Sequence, residues 1–283
     1  MGAAGVPRLR SPSVPYRAIA TDLDGTLLRS DGSVSPRTRA AVDAAEDAGW
    51  LFVIATGRPP RWIPPVVEQL GERGLVVCAN GASIYDPARH ELVARNDLPV
   101  EVVAALVDDL KAALPDATLG FEQGMRFVAD TAIERADPRM LKLWLEAGLQ
   151  IGPIEEFLNE GVTKLIVRLP DDAPAGSAAR VQALVGDRAL VTHSTNETFL
   201  ELSRADVHKA STVEQLLESS GIAAAEVVAF GDMPNDRELV EWAGWGVAMG
   251  NGHPELQAAA DEVTASNDDD GVAVVLERLL DGA

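Results

Sequence analysis

One cysteine in 283 residues, no long apolar run and a shortage of positive charge bound this chain's function before any motif is read. Cys78 sits inside the apolar string LVVCAN, where a lone thiol reads as a small buried hydrophobe rather than a reactive group. The apolar runs break within about ten residues, well short of the ~20 that a spanning helix needs. Lys and Arg number 24 against 44 Asp and Glu, a formal net charge of −20. So acidic a surface repels phosphate backbones and anionic headgroups, which excludes nucleic acid and membranes as expected partners. Aromatic residues make up 5%, and the five tryptophans are scattered in the manner of packing residues. Residues 1–15, with Pro, Ser and Arg but no continuous hydrophobic segment, read as a flexible N-terminal leader and not a signal peptide. The second residue is Gly, yet Val6 departs from the myristoylation pattern. A soluble cytoplasmic protein is expected.

What is present is an ordinary globular composition, 47% hydrophobic and 24% charged, in a chain long enough for two modest domains. YRAIATD, WLFVIAT and LVVCANG read as buried strands, the first two separated by a helix over SPRTRAAVDAAEDAG with Ser35 as N-cap and Pro36 following. Apolar strands alternating with helices predict a parallel sheet covered on both faces. After Asn80-Gly81 the texture changes to strand pairs alternating with single helices, which predicts an α+β insert with an antiparallel sheet. From His208 the first texture returns through STVEQLLESSG, EVVAFGD and GWGVAMGN. The expected architecture is α/β, with a Rossmann-like, doubly wound parallel-sheet core over 16–82 and 204–283. Residues 83–203 form the expected insert. The run DDD at 268–270 reads as a solvated helix-start cluster.

In such sheets ligands bind outside the carboxyl ends of the strands. Polar residues gather there: Asp22 and Asp24 after the first strand, Thr56, Gly57 and Arg58 after the second, Asn80 and Gly81 after the third. Asp232, Asn235 and Asp236 follow EVVAFG, and Lys209 stands before a helix. Residues two apart on a strand share a face, so Asp22 and Asp24 can converge. Several carboxylates meeting without countercharge would each raise the others' pKa. A hard divalent cation removes that repulsion, and Mg²⁺ keeps carboxylates, waters and phosphate oxygens as ligands. A carboxylate is also a competent phosphoryl acceptor, while a neighbouring Asp can move the proton.

Each of these residues also has a structural reading. Asp232 and Asp236 suit a helix start in any protein, Thr56 and Arg58 an ordinary strand end and surface, and Asn80-Gly81 a turn. A lysine at a helix N-terminus is electrostatically misplaced, which favours a functional reading for Lys209.

The sequence resembles the haloacid dehalogenase superfamily, close to its Cof-type subfamily, in DLDGTL (22–27), ATGR (55–58), Lys209 and GDMPND (231–236). The likeness extends to NGA (80–82), AMGN (248–251) and SNDDDGVA (266–273). It implies a Mg²⁺-dependent phosphatase of small phosphorylated metabolites, such as a sugar phosphate, nucleotide or phosphorylated cofactor. By that resemblance Asp22 is the nucleophile and Asp24 the general acid and base. Thr56 and Gly57 hold the phosphoryl oxygens with Gly25, Arg58, Asn80 and Asn235 nearby, and Lys209 neutralises charge. Asp232 ligates the metal with the Asp22 side chain and the Asp24 carbonyl, supported by Asn235 and Asp236.

The insert matches in position the C2B-type cap that roofs the site. Glu122, Arg126, Lys164, Arg168 and His193 are its candidate contacts, His193 reading equally as a satisfied strand histidine. Ala210 stands where the family often has Gly, so its methyl is expected either to be tolerated or to crowd the phosphate; His208 has no evident role. A phosphomutase and a non-catalytic phosphometabolite-binding protein are the alternative readings. Monomer and homodimer are both compatible with the sequence.

Overall fold

The computed structural model describes residues 16–135, 138–146, 148–192 and 198–282. The expected leader and His193 lie outside them. The strands are β1 (Ala18–Thr21), β2 (Leu51–Ala55), β3 (Leu75–Cys78), β4 (Ser83–Asp86), β5 (Glu91–Arg95), β6 (Thr118–Gln123) and β7 (Arg126–Ala129). There follow β8 (Leu149–Ile151), β9 (Lys164–Arg168), β10 (Leu190–Thr192), β11 (Phe199–Ser203), β12 (Val227–Gly231), β13 (Trp245–Ala248) and β14 (Glu262–Val263).

The first sheet runs β14-β13-β12-β1-β2-β3-β4-β5, parallel from β14 to β3. Its strands alternate between two buried faces. Ile19, Phe52, Ile54, Val228 and Phe230 pack with helices Pro36–Asp47 and Gly271–Asp281. Ala18, Ala20, Val53, Ala55 and Ala229 pack with helices Lys209–Glu218 and Arg237–Trp242. Small residues on the second face let the helix that begins at Lys209 lie close to the sheet. Ser35 caps its helix through Thr38 N, with Pro36 first, as the sequence predicts.

β1 pairs with β2 on one side and β12 on the other. The chain reverses its direction of winding there, so the crevice at the carboxyl ends of β1 and β12 is the topological switch point where such sheets bind ligands.

The second sheet runs β10-β11-β9-β6-β7-β8, antiparallel except for the β7–β8 pair. Leu119, Phe121, Leu165, Val167, Leu200 and Leu202 pack with helices Val100–Ala113 and Ser177–Val185. The alternate residues of β6, β9 and β11 face the other way.

Residues 83–95, expected to open the insert, instead extend the first sheet. β4 turns back antiparallel on β3 at once after Gly81, burying Tyr85 and Ser83, and β5 follows as the edge. A hairpin pattern looks the same whichever sheet edge it completes, so the sequence could not allocate it. The three-residue β8 was not anticipated, being shorter than a readable alternation.

Candidate active site

Four side chains meet at the switch point, each delivered by a different local device. Asp22 leaves the end of β1 with its amide bonded to the Phe230 carbonyl at 2.9 Å. Asp232 follows β12, and Asp236 ends the 3₁₀ turn Pro234–Asp236. Lys209 is the first residue of its helix. All are buried: Asp22 6%, Asp232 7%, Asp236 0% and Lys209 2% exposed. The Lys209 Nζ donates to Asp22 Oδ1 and to Asp236 Oδ1, both at 2.6 Å. Asp236 Oδ2 accepts from the amides of Asp232 (3.1 Å) and Met233 (3.0 Å), so this carboxylate orients both the lysine and the loop. Asp232 Oδ1 accepts from Thr26 Oγ1 at 3.0 Å.

One oxygen from each of Asp22, Asp232 and Asp236 lies within 4.8 Å of the others. A single ammonium cannot balance three carboxylates in a buried site, and their acidities respond. Burial, then the charge of Asp236, lift Asp22 to about 8 against the pull of Lys209. Burial, then Asp236, lift Asp232 to about 6 despite its bond from Thr26. Burial opposes the charge on Lys209, yet Asp22 and Asp236 hold its pKa above the ordinary value. The cluster therefore retains a proton at Asp22 near neutrality unless another cation enters. Clustered hard oxygens with unmet negative charge fit a divalent ion such as Mg²⁺.

Space here is tight. Gly25 adopts φ +78°, and a Cβ on it would stand 2.4 Å from Asp232 Oδ2. A Cβ on Gly231 would stand 2.4 Å from the Asp236 Cβ. Both positions need glycine because a carboxylate occupies the side-chain space.

Around this centre lie the other expected residues. The Asp24 side chain stands outside the carboxylate cluster, half exposed and gripped by Arg58, Nε to Oδ2 at 2.7 Å and a second nitrogen to Oδ1 at 2.5 Å. Thr56 is buried, its hydroxyl accepting from the Arg58 amide at 3.1 Å. Asn80, in the left-handed region at φ +57°, accepts from Asn235 Nδ2 at 3.2 Å and lies against Gly57. Its neighbour Gly81 is held by the segment after β5 and by the lysine helix: its carbonyl accepts from Asn96 Nδ2 (2.9 Å) and Thr212 Oγ1 (3.0 Å).

His208 proves to be the N-cap of the lysine helix, exchanging bonds with Ser211. Ala210, one residue past the lysine, is buried among Ala18, Ala20 and Val213. Its methyl packs on the sheet and does not crowd the carboxylates, because consecutive helical residues point about 100° apart.

On the second sheet, strand alternation settles what sequence left open. Glu122, Lys164 and Arg168 project opposite to the helix-packed leucines, whereas Arg126 shares the helix side with Val128. Glu122 is buried and paired with Arg61 of the first sheet's loop, Lys164 is buried and paired with Glu201 at 2.6 Å, and Arg168 pairs with Asp171 at 3.0 Å. Arg126 pairs with Glu160 and donates to Gln150 at 2.6 Å.

Sequence reasoning assigned no role to Thr26, Arg61, Asn251 or Asn267. Asn251 Nδ2 donates to the Gly25 carbonyl at 2.8 Å, and Asn267 donates to the Leu28 carbonyl at 2.9 Å and to Asn251. They brace the loop that follows Asp22. Their signal was their place inside AMGN and SNDDDGVA. The acidic run beside them is the expected helix-start cluster, with Asp268 and Asp269 exposed and Asp270 at the N-cap of the last helix. It also ties to the first loop: Asp268 accepts from Ser30 at 2.7 Å and Asp270 from Arg29 at 2.7 Å.

A family profile described as haloacid dehalogenase-like hydrolase matches residues 19–276. A 5-amino-6-(5-phospho-D-ribitylamino)uracil phosphatase of Bacillus subtilis is 30% identical over 270 residues, covering 93% of this chain and 97% of that protein. A haloacid dehalogenase-like hydrolase of Bacteroides thetaiotaomicron, solved by crystallography, superposes with TM-score 0.77 at 30% identity, covering 93% of this chain and 99% of the other. A subclass IIB sugar phosphatase of the superfamily shares the fold at TM-score 0.75 and 22% identity, over 93% of this chain and 98% of its own.

Proposed function

The chain belongs to the haloacid dehalogenase-like hydrolases, as a phosphatase, and from that premise we propose a subclass IIB cap, a mechanism and a substrate class. It hydrolyses small phosphorylated metabolites in the cytoplasm through an aspartyl-phosphate on Asp22, with Mg²⁺ as its cofactor. The core comprises residues 16–95 and 204–282, and residues 96–203 roof it as the cap. The observation that carries the reading is the Lys209 ammonium lodged between Asp22 and Asp236 beside Asp232.

The Asp22 carboxylate attacks phosphorus, and the P–O bond to the leaving group breaks as Asp24 gives that oxygen its proton. Asp24 then takes a proton from water. The water oxygen attacks the phosphoryl group, releasing inorganic phosphate and restoring Asp22. Lys209, Thr56 and the Gly57 amide bind the phosphoryl oxygens, with Gly25, Arg58, Asn80 and Asn235 at the periphery. Asp22, Asp232 and the Asp24 carbonyl would hold Mg²⁺, with Asp236 orienting them; when bound, the ion neutralises the carboxylates and the transferring phosphoryl group. Most of the rate gain in such chemistry comes from positioning and charge stabilisation, which this donor set provides.

The test is phosphate release from a panel of sugar phosphates, nucleotides and phosphorylated cofactor precursors, including the phosphoribitylaminouracil named for the Bacillus relative. Release with Mg²⁺ that EDTA abolishes supports the proposal. Release that is indifferent to EDTA would refute the metal-dependent mechanism.

A further inference from the structure

A continuous run of contacts joins the cap to Asp24, and it passes through Arg61. The Arg61 guanidinium is 12% exposed and ion-paired with Glu122 on β6, itself 9% exposed at the side chain. It also lies 5.2 Å from the ring centre of Phe127, on β7 of the same sheet. Arg61 is thus a core residue whose charged end is built into the cap. Three residues earlier in the same loop, Arg58 grips Asp24 with two nitrogens.

The segment between the two arginines is stiff. Pro59 and Pro60 fix two backbone torsions, the Trp62 and Ile63 amides bond back to the Pro59 and Pro60 carbonyls at 3.0 and 3.1 Å, and the Arg58 carbonyl accepts from the Ala79 amide at 2.8 Å. Glu122 meanwhile has little freedom. The Glu122–Lys164 strand pairing and the Lys164–Glu201 bridge hold it in a buried, charge-alternating row.

We propose that Glu122 and Arg61 are positioning residues that couple the closed cap to the acid–base residue, acting through Arg58 on Asp24. The inference rests on the phosphatase reading above. When the cap seats, Glu122 fixes Arg61 and the rigid turn fixes Arg58. Arg58 then holds Asp24 through one carboxylate oxygen, releasing the other to carry the proton that goes to the leaving oxygen. With the pair broken, the cap still covers the site but the proton donor is no longer held in line. The consequence is selective. A substrate whose leaving group departs without help tolerates the loss, and one that must be protonated does not.

The experiment compares p-nitrophenyl phosphate, with its stable phenolate leaving group, and glycerol 2-phosphate, whose alkoxide needs a proton. For Glu122→Gln and Arg61→Gln we expect kcat on glycerol phosphate to fall about ten-fold or more, and kcat on p-nitrophenyl phosphate to fall less than about three-fold. The double variant should be no worse than either single one, since both remove one interaction. Arg61→Lys, which keeps the charge and is the milder change should the others fold poorly, should recover part of the loss. Equal losses on both substrates, or additive losses in the double variant, would overturn the coupling while leaving the phosphatase reading intact. A wild-type protein inactive on every phosphate ester would overturn that reading, and the coupling with it.

Discussion

Replacing Asp232 by Asn should stabilise the metal-free fold at the same time as it destroys the site. Asn is isosteric and keeps an oxygen for the Thr26 hydroxyl, so the change removes little except charge. Burial and Asp236 lift the Asp232 carboxyl from its ordinary 3.8 to about 6. Such a lift corresponds to about 3 kcal/mol between the two protonation states. The group keeps some contact with solvent, which reduces the usable figure to roughly 1.5 kcal/mol.

The sign follows from linkage. The folded pKa lies above the unfolded one, so the favourable contribution is complete below about 4 and is lost as pH rises through about 6. Asparagine has nothing to lose over that interval. In EDTA the variant should match wild type near pH 4 and exceed it at pH 8 by ~1.5 kcal/mol, or roughly 3–6 °C in Tm for a chain of this size. Saturating Mg²⁺ should reverse the order, because only wild type gains from binding. Thermal or urea unfolding at both pH values, with and without the metal, reads all of these quantities. A variant no more stable than wild type at pH 8 in EDTA, or equally stabilised at pH 4, would show that the carboxylate cluster carries no such repulsion.

Three further outcomes are expected. Asp22→Asn should lower phosphate release by about 1,000-fold or more and leave no covalent phosphoryl-enzyme under acid quench, since the amide is not a nucleophile; retained turnover would refute the aspartyl-phosphate. Lys209→Met removes the ammonium that pairs two buried carboxylates at 2.6 Å; it should cost on the order of 3–5 kcal/mol by urea unfolding at pH 8 in EDTA, and clearly less at pH 5, where Asp22 takes up a proton instead. Gly25→Ala places a methyl at 2.4 Å from Asp232 Oδ2 on a backbone at φ +78°; it should lose roughly 1–3 kcal/mol of stability and weaken Mg²⁺ binding by calorimetry, whereas Gly32→Ala, with open space around it, should leave Mg²⁺ affinity unchanged.

The sequence by itself determined the parallel core and the residues around its switch point. Continuous apolar runs separated by helices predict a parallel sheet, and parallel strands bring Asp22, Thr56, Asn80 and Asp232 to the same edge. Local patterns also marked the Ser35 cap and the lysine that a helix N-terminus would not choose for itself. What only the tertiary structure decided concerns contacts between distant segments. The hairpin 83–95 went to the first sheet because β3 offered an open edge, a fact that no local pattern encodes. Ala210 faced the sheet, and Arg126 faced the helices, because strand and helix phase is fixed only by what each element packs against. Asp24 left the carboxylate cluster for Arg58, 34 residues along the chain. Arg61 found Glu122, 61 residues away. Side-chain periodicity tells which residues share a face; which charges then meet depends on how the two sheets are set against each other, and that is fixed by packing.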